Sequence, residues 1–120
     1  MTANMTRELL LDIHTELTQN AHELMDKKNK DYAGASGAQP FANFERVEAL
    51  GVCSTEKGFL VRVIDKLSRL SSFADAGTFA VEDESLRDTV IDLINYAVLI
   101  YAYNSAKQTG SAPRDYRKST

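Results

Sequence analysis

The sequence predicts an all-α protein: a helical bundle of three long helices plus one short helix, with a long loop between the first and second long helices. Three observations lead there. Apolar residues recur at helical spacing in two stretches, Leu10 to Met25 and Leu60 to Phe73. A third stretch, Glu84 to Tyr103 (ESLRDTVIDLINYAVLIYAY), is apolar on nearly every side, the pattern of a central helix buried by its neighbours. Between the last two, DAGTFAVED at 75–83 is a connection suited to an antiparallel helix pair.

In chain order, Thr6 caps the first helix and Glu8 sits favourably in its first turn. Leu10, Ile13, Leu17, Ala21, Leu24 and Met25 form its apolar stripe as far as about Lys28, opposite Asp12, Glu16, Glu23, Lys27 and Lys30. His14 and His22 lie two turns apart, wider than the i, i+4 spacing of helical metal pairs, and read as surface residues. From Asn29 to Ser54 the period fails, and Pro40 excludes a continuous helix. Within that loop Asn43 caps a short helix that ends before Gly51. An irregular connection of this length in a compact domain is either functional or disordered. Tyr32, Phe41 and Phe44 argue for order, since such rings return a loop to the core or stack on a flat ligand, and Lys30, Asp31, Asn43 and Arg46 stand beside them. Ser54 or Thr55 caps the next helix, which runs to about Ala74 with Leu60, Val63, Ile64, Leu67, Leu70 and Phe73 as its stripe. Ser85 with Asp88 three residues on matches a capping box for the last helix.

The chain has 120 residues, enough for one domain with a real core and too few for two. We read residues 1–105 as that domain and 106–120, which contain Gly110 and Pro113, as a polar tail. A net charge of −3 and a pI near 5.3 argue against non-specific nucleic-acid binding. Cys53, the single cysteine, excludes an intramolecular disulfide. The N-terminus lacks the apolar core of a signal peptide, and Asp92 and Asn95 interrupt the apolar run from Val90 to Tyr103, which is too short for a membrane span. The expected location is the cytoplasm.

The chemistry concentrates on the last helix. Glu84, Asp88 and Asp92 follow one another at i, i+4, i+8, with Asn95 three residues further, so four oxygen-bearing groups share one side of the most apolar helix. A buried carboxylate is costly unless a cation, a metal or hydrogen-bond donors meet it. With Asp65 from the preceding helix, these acids would make an oxygen-rich site of the kind Mg²⁺ takes together with substrate phosphates. Lys66 and Arg69 could hold phosphate oxygens, the arginine by its bidentate fork. The chain has no P-loop, no Gly-rich dinucleotide fingerprint, no HExxH and no Gly-x-Ser-x-Gly. If the protein is an enzyme, the class these residues permit is metal-assisted attack of water on a phosphoanhydride, with Asp88 and Asp92 as the catalytic pair. The bland alternative is that Asp65–Arg69 is a surface ion pair and Asp88 a helix cap.

The pieces KNKDY (28–32), FANF (41–44), IDKLSRL (64–70) and ESLRDTVIDLINYAVL (84–99) occur in an order that resembles the phage and bacterial family called nucleotide modification associated domain type 1. The likeness covers roughly Leu9 to Tyr103. That family resembles the all-α NTP pyrophosphatases, the MazG and dimeric dUTPase group, which bind Mg²⁺ on acidic pairs and release pyrophosphate from nucleoside triphosphates. The resemblance implies metal on Asp65, Glu84, Asp88 and Asp92, and Asp88 with Asn95 is similar to the family's metal-binding Asp and the Asn that follows it. It also implies a homodimer or higher homo-oligomer, which an αα-hairpin from Thr55 to Tyr103 packed on its symmetry mate would satisfy. Two departures stand out. Arg69 occupies the place of the second acid on the earlier helix, and Arg87 the neighbourhood of a glutamate, leaving Glu84 as nearest substitute.

The expectation is a phage-type nucleotide-binding protein. It would be a Mg²⁺-dependent pyrophosphatase or a partner in base modification, with Lys66 and Arg69 on phosphate and Lys30, Asp31, Tyr32, Asn43, Phe44 and Asn95 around base and sugar. The alternatives are a non-catalytic module that sequesters a nucleotide or host defence signal, and a structural protein in which the buried Asp and Asn pair with Lys66, Arg69 or Lys30 to fix helix register.

Overall fold

Helix boundaries in this chain follow its caps and its glycines. The computed structural model describes residues 4–33, 40–77 and 85–108. They form four helices, α1 (Arg7–Ala33), α2 (Ala42–Ala49), α3 (Thr55–Ala76) and α4 (Leu86–Gln108), with no strand among the described residues. The fold is all-α, with the short helix lying between the first two long ones. Thr6 Oγ1 accepts from the Leu9 amide at 3.1 Å and opens α1. Ser54 Oγ accepts from the Lys57 amide at 3.2 Å and opens α3. Ser85 Oγ accepts from the Asp88 amide at 3.1 Å and opens α4. Each is a side-chain oxygen satisfying an N–H that the helix itself leaves unpaired. Gly77, at φ +67°, closes α3 in the left-handed conformation that disfavours residues with a Cβ.

Two boundaries differ from the sequence reading. α1 continues past Lys28 to Ala33, so Asn29, Lys30, Asp31 and Tyr32 belong to a helix and not to the loop. Loss of apolar period marks only the loss of a buried face; the chain offers no breaker before Gly34. α2 begins two residues earlier than a cap at Asn43 implies. Phe41 occupies the N-cap position without a capping side chain, and Asn43 lies in the first turn.

α4 is central: α1 packs on one flank and α3 on the other, while α2 bridges α1 and α3. The α3–α4 pair is antiparallel, in a register fixed by the Lys107–Glu56 ion pair at 2.6 Å and by Tyr103 against Phe59 at 5.8 Å between ring centroids. The Lys107 ammonium beside Glu56 holds that carboxyl below its ordinary value of 4.5, and Glu56 in turn raises Lys107 above 10.5. The α2–α3 corner is locked from both sides. Glu48 accepts from the Thr55 amide at 2.8 Å and from its hydroxyl at 3.0 Å, and a Cβ on Gly58 would lie 3.0 Å from Val47 Cγ2.

The core is small and aromatic at one end. Phe59 is fully buried among Phe41, Phe44 and Tyr103, at centroid distances of 6.4, 4.8 and 5.8 Å, in the tilted and edge-on arrangements that ring quadrupoles favour. Ala21, Phe73, Ile91 and Leu99 extend it, with Thr55 and Thr89 as buried polar members. The stripe expected on α3 divides: Phe73 is buried and Val63 and Leu70 half-buried, while Leu60, Ile64 and Leu67 are exposed. No helix among the described residues is long and apolar enough to cross a membrane.

Candidate functional site: a cleft at the meeting of four helices

Asp92 projects from α4 towards Lys66 of α3 and Lys28 of α1, with Nζ–O distances of 2.9 and 3.8 Å. The Asp92 and Lys66 side chains are only 13% and 12% exposed. The carboxylate that the sequence placed on an apolar helix thus meets cations from both neighbouring helices. One turn on, Asn95 Nδ2 donates to the Ala21 carbonyl at 3.0 Å, which ties α4 to α1 and fixes the orientation of the amide. Asn29 Nδ2 donates to the Pro40 carbonyl at 3.4 Å and brings the start of α2 to the end of α1.

These ties frame a narrow cleft of about 50 Å³ to which all four helices contribute. Its charged and polar wall is Lys28, Asn29, Asn43, Arg62, Asp92 and Asn95, and its apolar wall Met25, Phe44, Tyr96 and Leu99. Beside it lies a broader groove of about 550 Å³ between α1 and α4, walled in part by Glu23, Lys27, Asp88 and Ile91. Lys28 and Asp92 line both spaces, which therefore adjoin at that ion pair. Arg62 has no carboxylate at ion-pair distance among the described residues. Of the described residues that line the slot, Lys28 and Arg62 are cationic and Asp92 is anionic, with Lys66 paired to Asp92 from behind.

Of the residues singled out in the sequence, Asn43, Phe44, Asp92 and Asn95 meet in the slot, Asp88 stands on the groove, and Lys66 stands behind Asp92. Others lie apart. Lys30 pairs with Asp26 at 3.3 Å on the exposed side of α1. Asp65 pairs with Arg69 at 3.5 Å, i to i+4 on exposed α3, and neither lines the slot or the groove. Asp31 and Tyr32 are in the last turns of α1 with side chains outside the described residues, and Glu84 lies outside them altogether. Among the described residues no three acidic, histidine or cysteine side chains come together as a metal cage. Asp88 and Asp92 form a carboxylate pair one turn apart, and Asp92 already faces Lys66.

Lys28, Arg62 and Tyr96 are site residues that sequence reasoning missed. Lys28 stands where the apolar stripe of α1 ends, although the helix runs on for five more residues. Arg62 carried a usable signal: it precedes Lys66 by one turn, on the flank of α3 that reaches α4. Tyr96 follows Asp92 by one turn, the same i, i+4 relation.

The fold and cleft together define a small helical module with a cationic, aromatic-walled slot. Comparison with protein-family models, with curated proteins and with solved structures finds no match to this chain.

Proposed function

We propose that this protein binds a nucleotide or nucleoside phosphate across the slot and groove, and that binding, ahead of turnover, is its activity. The observation that carries this reading is the convergence of all four helices on one slot whose walls pair rings with amides and cations. In this reading the edge of a base enters the slot, whose walls carry Phe44 and Tyr96 with the Asn43 and Asn95 amides. Phosphate oxygens fit against Lys28, Lys27 and Arg62, which supply the charge-assisted hydrogen bonds that anions need. Since Asp92 is held between two lysines, its charge is offset where an anion would approach.

A second reading, Mg²⁺-dependent release of pyrophosphate, draws on Asp88 and Asp92 standing one turn apart on the groove. Mg²⁺ takes one or two carboxylates and completes its shell with water and phosphate oxygens, so this pair would serve only with a triphosphate bound.

The experiment is a thermal-shift titration of nucleoside mono-, di- and triphosphates with and without Mg²⁺, with product measured in the same samples. A ligand of the native state raises its apparent stability by mass action, about 2.7 kcal/mol at a hundredfold excess over Kd. Stabilisation that Arg62→Ala and Lys28→Ala each reduce, with no product, is the expected result. Pyrophosphate release that Asp88→Asn abolishes would replace it with the second reading. No shift with any nucleotide would remove the nucleotide from both.

A further inference from the structure

Asp92 meets its two lysines in different ways. Lys66 Nζ stands 2.9 Å from one carboxylate oxygen, the distance of a charge-assisted hydrogen bond, and is sheltered from water. Lys28 Nζ stands 3.8 Å from the other oxygen, too far for a hydrogen bond, and is much more exposed. Its attraction to Asp92 is therefore Coulombic and weakened by solvent. The two lysines also differ in place. Lys66, on α3, lines neither the slot nor the groove, whereas Lys28, on α1, lines both. The other cation of the slot, Arg62, comes from α3. Among the described residues that line the slot, Asp92 is the one carboxylate.

We propose that Lys66 is a positioning residue for anion binding: by saturating Asp92 it releases Lys28 to pass from that carboxylate to a phosphate group entering where slot and groove adjoin. The inference rests on the phosphate side of the reading above, and makes affinity depend on a residue outside the site. The exchange costs little on the protein side. Asp92 keeps its bond to Lys66 when Lys28 leaves, so no buried carboxylate is stranded without a cation. It is favoured on the ligand side, because a phosphate monoester carries about −1.5 to −2 charges at neutral pH, against a single carboxylate charge already faced by Lys66. Only a side chain has to move. A lysine is a point charge on a flexible four-carbon stem, whereas the rigid fork of Arg62 gives the anion a fixed second hold. The bound anion then bridges α1 and α3, which otherwise meet through α2 and α4. Without Lys66, Asp92 would hold Lys28 for itself.

The test is calorimetric titration of the full chain with inorganic pyrophosphate at fixed ionic strength. Lys66→Met should weaken binding about tenfold, the worth of one hydrogen bond to a charged group, although Lys66 does not line the site. Lys66→Arg, which keeps the charge beside Asp92, should restore most of that loss. Asp92→Asn should tighten binding about fivefold in the parent chain but less than about twofold in Lys28→Met, because the carboxylate acts by holding Lys28. Equal gains in the two backgrounds would show that Asp92 acts only through its field, and would overturn the proposal. So would unchanged binding by Lys66→Met. If Lys66→Met loses its helical circular dichroism, the cycle of Asp92 and Lys28 decides, since it leaves Lys66 in place. A parent chain that nucleotides stabilise but pyrophosphate does not bind loses this inference and keeps the nucleotide reading. One that binds neither loses both.

Discussion

Replacing Asp92 tests whether the junction of α1, α3 and α4 is held by charge. Its carboxylate lies 2.9 Å from the Lys66 ammonium, with both side chains about one-eighth exposed. An exposed pair contributes about 0.5 kcal/mol, whereas breaking a fully buried one by removing a partner costs about 3–5 kcal/mol. This pair stands nearer the buried limit in accessibility but keeps some water, so a coupling of about 2 kcal/mol is expected. The cycle is Asp92→Asn, Lys66→Met and the double variant, each unfolded in urea and followed by far-UV circular dichroism. Each single variant should lose stability equivalent to about 8 °C in Tm for a chain of this size. The double variant should lose less than the sum of the two, because it removes both charges together. Lys28, farther away at 3.8 Å and 44% exposed, should contribute under ~0.5 kcal/mol when changed to Met. A coupling below about 0.5 kcal/mol would refute the argument, since Asp92 would then behave as a surface acid.

Three further outcomes follow from the packing. Phe59→Ala, which empties the centre of the aromatic cluster, should cost about 4 kcal/mol in urea unfolding. Gly58→Ala gains about 1 kcal/mol of helix propensity but drives a Cβ against the stiff β-branched Val47. A net loss of about 1 kcal/mol is expected, and a gain would show that α2 yields. Glu56→Gln should lower the urea midpoint by the same amount across neutral pH, with the difference fading at both extremes. The lowered Glu56 pKa stabilises the fold above its ordinary 4.5, and that contribution is lost as pH falls through the folded value. The raised Lys107 pKa stabilises below 10.5, and that contribution is lost as pH rises through the folded value. A difference between parent and variant that does not change with pH would show that the pair is idle.

The three long helices, their caps at Thr6, Ser54 and Ser85 and the need of Asp92 for a cation were legible in the sequence, because each rests on a local rule. Lys66 was among the cations that the sequence offered to Asp92, and it stands there. The end of α1 was not legible, since a helix continues through polar residues until something breaks it. The two faces of α3 were not separable either. Leu60, Ile64 and Leu67 share the helical period with Val63, Leu70 and Phe73, and only the position of α4 tells which set it covers. Lys28 enters the site through the packing of α1 against the hairpin, which no spacing within a single helix records, whereas Arg62 is foreshadowed by its one-turn spacing from Lys66.

The way α1 is attached has a consequence for how the protein breathes. Among the described contacts that bind it to α4, Arg87–Glu16 and Asn95–Ala21 join residues 71 and 74 positions apart, whereas α2 and α3 meet at a tight corner. We expect α1 to open from the remaining helices as a cooperative unit before the rest of the fold unfolds. Its backbone amides should exchange with deuterium faster than those at the centre of α3 or α4. A molecule in the slot touches Lys28 and Asn29 on one side and Asp92 and Asn95 on the other. A ligand bound there as proposed would act as a latch, and its presence should be written in the exchange protection of α1.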